Sequence, residues 1–76
     1  MTEPAFDKEK GHRFFAVELN NLAWGLVEAR HELSSVEAER MLHAAHASCF
    51  HWLEVGSPLN HQRAQCLVAC VHIKLG

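Results

Sequence analysis

The chain has 76 residues, 49% of them hydrophobic, and carries a formal charge of −2 from seven Lys/Arg against nine Asp/Glu. That length allows one domain with a small core, since so short a chain buries only about 60% of the surface its unfolded form exposes, and the apolar content excludes a disordered segment. The charge and the lack of a long basic run argue against a nucleic-acid partner, whose phosphates need a concentrated positive face, although seven histidines carry the charge from −2 to about +5 on full protonation near their ordinary pKa.

In chain order, residues 1–6 read as a flexible tail, and the N-terminal stretch Met1–Lys10 is charged and without an apolar signal segment. A first helix is expected over about 7–31. Phe15, Leu19, Leu22 and Leu26 recur at four-three-four spacing, with Phe14, Val17, Trp24 and Val27 widening the stripe. Gly25, beside Trp24, suggests a close helix approach. A second helix is expected over about 35–55. Ser34 with Glu37 has the form of a capping box, and Val36, Met41, Ala45, Cys49, Trp52 and Leu53 give the stripe. Gly56 is a helix stop, and Ser57-Pro58 restarts the chain with a cap and a first-turn proline. A third helix over about 58–75 carries Ala64, Leu67, Val68, Val71 and Leu75 on its apolar face, with Gly76 as its cap. No strand alternation is present. The expectation is a single all-α domain of three antiparallel helices, a helical hairpin or bundle, completed by oligomerisation because its alanines each bury little area. Trp24, Trp52, Leu67 and Val71 are the residues expected at buried or intersubunit contacts.

Cys49, Cys66 and Cys70 are an odd set, unlike the paired cysteines of small secreted domains. The longest apolar run, Cys66 to Val71, is far too short to span a membrane. These features point to a cytoplasmic protein with reduced thiols and no membrane partner. His43, His46 and Cys49 follow a three-residue spacing, so neighbours lie close on the helix surface. Imidazole and thiolate suit zinc or another transition metal, and Cys66 and Cys70 stand one turn apart on the third helix. Against a metal site, Cys49 lies on the core stripe, where cysteine is usually a small buried hydrophobe, and no compact CxxC knuckle is present. The leading expectation is therefore no cofactor, with a His43/His46 metal site as the alternative. His51, His61 and His72 read as edge residues, His61 and Gln62 being placed to bond the end of the second helix. No phosphate loop, His-Glu-x-x-His motif or nucleophile elbow occurs, and Ser48, Cys49 and His51 do not have the spacing of a nucleophile with its base.

Arg40 and His46 resemble the Arg-His pair of helical ribonucleases of the HEPN class. That resemblance implies a histidine base and an arginine that stabilises phosphoryl charge. It is the remote alternative, since three helices are fewer than that fold needs and the basic surface is lacking. A second resemblance covers roughly residues 14–76. Ala69-Cys-Val-His72-Ile-Lys-Leu75-Gly76 resembles the end of the first helix of a tetratricopeptide repeat, with His72 where the repeat usually has an aromatic. His43 to Trp52 and Gly56 to Asn60 are similar to the N-terminal part of uncharacterised bacterial proteins of that type. The resemblance implies protein–protein interaction or scaffolding, without catalytic residues. It also implies an outer face of the third helix that a following repeat would cover, and that self-association covers here, with another protein as a further possible partner.

Overall fold

The described residues form three helices: α1 (Lys8–Val27), α2 (Ser35–Val55) and α3 (Pro58–Leu75). The computed structural model describes residues 6–76, and the first five residues of the expected tail lie outside the described residues. Each helix starts on a polar cap. Asp7 accepts from the Lys10 backbone N–H at 3.1 Å. Ser34 and Glu37 close the expected capping box: the Glu37 N–H donates to Ser34 Oγ at 3.1 Å, and the Ser34 N–H to Glu37 Oε1 at 2.9 Å. Ser57 and Asn60 repeat the device ahead of α3, with Pro58 in the first turn. Such caps satisfy amide donors that a helix start leaves free.

The helices run antiparallel in sequence order. His12 meets His51, and Ala16 meets Ser48, so α1 and α2 pair head to tail. The contact is made by small side chains. Ala16, Ala23, Ala44, Ala45 and Ser48 are all buried, and the Ser48 hydroxyl donates to the Ala16 carbonyl at 2.7 Å. Larger residues fill only one part of the core, where Met41 meets Leu67 and Val71, flanked by Leu19, Trp24, Leu26, Val27, Leu33, Leu42 and Val68. On α3, Ala64, Leu67 and Val71 are buried as expected, whereas Leu75 is exposed.

The buried faces of α1 and α2 differ from the expected stripes. On α1 the buried line is Ala16–Ala23, one residue beyond Phe15–Leu22 and so about 100° further round the helix. Phe14, Phe15, Val17 and Leu22 remain exposed. Large residues mark the stripe in a sequence, but the backbones approach along the line of alanines, which lets α1 and α2 lie close. On α2, Val36 and Leu53 are exposed, and Ser48 takes a core position instead. Gly25 has no neighbour within 4 Å of a built Cβ, so it mediates no close approach. Gly56 ends α2 with an extended backbone (φ −79°, ψ 170°) rather than a left-handed one. Its lack of a side chain matters because a Cβ there would stand 2.8 Å from both the Trp52 carbonyl and Asn60.

The first helix also stops at Val27, short of the expected 31. No glycine or proline ends it. The Ala29 N–H turns back to the Leu26 carbonyl at 3.3 Å, and Lys74 Nζ of α3 donates to the carbonyls of Val27 at 2.7 Å and Ala29 at 3.2 Å. Arg13 of α1 likewise donates to the Val55 carbonyl at the end of α2, at 3.3 Å. Neither α1 nor α2 has a basic residue in its own last turn. Each C-terminus therefore takes its cation from a neighbouring helix, where positive charge is favoured by the dipole.

The Ala16–Ser48 contact sets the stability of the α1–α2 pair. Replacing Ser48 by Leu forces the helices apart and should cost about 1–3 kcal/mol, while Ser48→Ala loses the hydrogen bond alone, about 1 kcal/mol. Urea denaturation followed by circular dichroism reads both; a Ser48→Leu midpoint equal to that of the native chain would contradict the close seam.

Candidate functional site

Two histidine pairs straddle α2. His51, on the side facing α1, brings Nδ1 within 2.8 Å of His12 Nδ1. His46, five residues earlier, brings Nε2 within 3.0 Å of His72 Nε2 on α3. In each pair a neutral imidazole N–H donates to the bare nitrogen of the other ring, so the pair holds two helices together only while at least one ring is neutral.

The His12–His51 pair sits in an aromatic setting. Phe50 lies 6.0 Å from His12 and 5.4 Å from His51, Phe15 lies 5.8 Å from His51, and Phe14 stands edge-on to Phe15. Beside the pair opens a cleft of about 400 Å³, lined by Phe6, Lys8, Gly11, His12, Phe15 and His51. Phe6 reaches back over Gly11, where an added Cβ would meet its ring at 2.7 Å. An apolar cleft with a few converging polar atoms is the usual form of a small-molecule site. Burial, and then the neighbouring His12, hold the His51 imidazole below its ordinary pKa, against an opposing pull from Glu54.

The other sites expected from sequence separate. His43 and His46 are both exposed on α2, but Cys49 is half-buried and burial pushes its thiol pKa up. A thiol held protonated is a poor metal ligand. Among the described residues no group of three or more His, Cys, Asp or Glu side chains converges as a metal site. Arg40 and His46 are both exposed and about 120° apart around α2, and His46 faces His72, not Arg40. His61 keeps its Nε2 buried without a partner rather than bonding the end of α2. Burial, and then the adjacent Cys66, raise the Cys70 thiol. Leu67 and Val71 are enclosed by the chain's own helices, and Trp24 and Trp52 are half-buried.

His12 does not stand out in the sequence, and His72 reads there as an edge residue. Their partners lie 39 and 26 residues away, so no local spacing reveals them. No protein-family model, curated protein or solved structure matches the chain. No described helix is long and apolar enough to cross a membrane.

The His51 environment gives a pH dependence with a definite sign. Its folded pKa lies below the unfolded value of about 6.5, so the unfolded chain binds the proton more readily. The contribution to stability is complete above about pH 6.5 and is lost as the pH falls from there towards the folded pKa. Urea midpoints should therefore decline on acidification from neutral pH, and decline less in His51→Gln. Parallel pH profiles for the two proteins would count against the coupling.

Proposed function

We propose that the chain is a non-enzymatic interaction module of tetratricopeptide-like type, acting in the cytoplasm, that pairs with a second copy of itself through the outer face of α3. One observation carries the reading: α3 is apolar on two opposite faces. Its inner face is Ala64, Leu67 and Val71, buried. Its outer face is Leu59, Cys66, Ala69 and Ile73, all exposed, with Leu59 at 52% and Ile73 at 78%. Leu59, Cys66 and Ile73 stand seven residues apart, and Gln62 and Ala69 fall between them at three-four spacing, the repeat of a helix-pairing seam. An apolar helix face is normally covered.

The seam is centred on Cys66. Antiparallel pairing sets Leu59 against Ile73 of the second copy and brings the two Cys66 residues together at a two-fold axis. It also favours that direction over a parallel one. α3 carries Arg63 and Lys74 and no acidic residue, and parallel pairing in register would oppose each cation to itself, whereas antiparallel pairing offsets them. Trp24 and Trp52 border the core and add area at its edge, while Leu67 and Val71 support the seam from beneath.

Light scattering coupled to size exclusion tests this directly. The native chain should run as a dimer at micromolar concentration, and Ile73→Glu as a monomer with unchanged helicity; a native monomer would defeat the proposal. Diamide, which takes up the two thiol hydrogens as the disulfide forms, should link the dimer covalently through Cys66. The link should be absent in Cys66→Ser and kept in Cys49→Ser.

A further inference from the structure

The His46–His72 pair brings two imidazole nitrogens from neighbouring helices within chelating distance. Its nitrogens stand 3.0 Å apart and its ring centroids 5.3 Å apart. Metal–nitrogen bonds of about 2.0–2.1 Å hold two nitrogens about 2.9 Å apart at a right angle and about 3.3 Å apart at the tetrahedral angle. The observed separation falls between those values, so binding calls for a turn of the two side chains and not for a movement of the helices. The ring separation shows that the two rings meet end to end, and a turn of each exposed ring by about 40° aims both lone pairs at one ion.

We propose that His46 and His72 form a binding site for a late first-row divalent transition-metal ion, with water completing the coordination shell. Both side chains are exposed, so water and the ion have access. In the free pair one Nε2 carries the proton that it donates to the other. On binding, that ring takes its proton at Nδ1 instead, so both Nε2 lone pairs face the ion and no proton is lost from the protein. The site is distinct from the expected His43, His46 and Cys49 set: its second ligand comes from α3, and no thiol takes part. The chemistry of two imidazoles and water selects nickel, copper or zinc over magnesium or calcium, whose ligands are oxygens. Because the ligands come from different helices, occupancy fastens α3 onto α2, and an ion that binds only the folded chain stabilises it.

His12–His51 is the internal comparison. It has a similar nitrogen separation, 2.8 Å, but it is partly buried, with Phe50 packed 6.0 Å from His12 and Phe15 5.8 Å from His51, which leaves less room for water ligands.

The test uses the full chain, purified without a histidine tag, with Ni²⁺ and Zn²⁺ as probes. Calorimetry should give one ion per chain, and the thermal midpoint should rise with Ni²⁺ but not with Mg²⁺. The rise should be lost in His46→Ala and in His72→Ala, and kept in His12→Ala and in Cys66→Ser. His46 and His72 are exposed, so both variants should keep native helicity in circular dichroism, which separates lost binding from lost fold. The mass by light scattering should not change on Ni²⁺ addition, as an intramolecular clamp requires. No binding of submillimolar Ni²⁺, binding that survives either His→Ala change, or a metal-dependent rise in mass would each overturn the proposal.

Discussion

The rest of the structure depends on the alanine-and-serine contact between α1 and α2. Ala16 and Ala23 face Ala44, Ala45 and Ser48, and a serine hydroxyl bonded across to the Ala16 carbonyl ties the two backbones together. Small side chains let helices approach closely, which gains dispersion contacts along the backbone, but they bury little apolar area each. The inside of this chain is therefore tight and thin. All four phenylalanines stand outside it, between 48% and 69% exposed. Chains of this size need a further source of stability, and here the largest apolar side chains remain available to supply it.

That seam also explains where the polar devices fall. With α1 and α2 close and antiparallel, Arg13 reaches the end of α2, and His12 lands against His51. With α3 returning alongside, Lys74 reaches the end of α1, and His72 lands against His46. The C-termini of α1 and α2 and both histidine pairs are satisfied between elements rather than within them. Such contacts place α3 by polar geometry as well as by burial, which suits a helix whose inner face offers only Ala64, Leu67 and Val71 as fully buried groups.

What the sequence shows and what it hides divide along the same line. Features within a few residues of one another are legible. The Ser34–Glu37 box, the Ser57-Pro58 restart, the Gly76 cap and the inner face of α3 all appear where their spacing puts them. The phase of α1 is not legible, because periodicity weighs residues by hydrophobicity and Phe15 and Leu22 outweigh Ala16 and Ala23. The end of α1 is hidden for a different reason: its terminator is Lys74, 47 residues from Val27. The histidine pairs are hidden in the same way. His46 is conspicuous within α2, but its partner becomes visible only once α3 is laid across it.

The mismatch on α1 has a physical reading of its own. Phe15, Leu19, Leu22 and Leu26 form a regular stripe, yet Phe15 and Leu22 stay exposed while Leu19 and Leu26 are only partly covered. An apolar line that regular, left beside the buried face instead of on it, marks a second surface rather than a defective core. The same is true of Leu59, Cys66 and Ile73 on α3. Two helices of three thus carry an apolar face that the described residues do not cover, and they differ in character. The α1 face is aromatic, holds a cleft and adjoins His51, whose proton affinity is lowered by burial. The α3 face is straight and aliphatic, with seven-residue spacing. A straight aliphatic seam suits a like helix, whereas an aromatic cleft with titratable walls suits a ligand that fills it. The described residues form a thin helical layer with two uncovered apolar faces of different character.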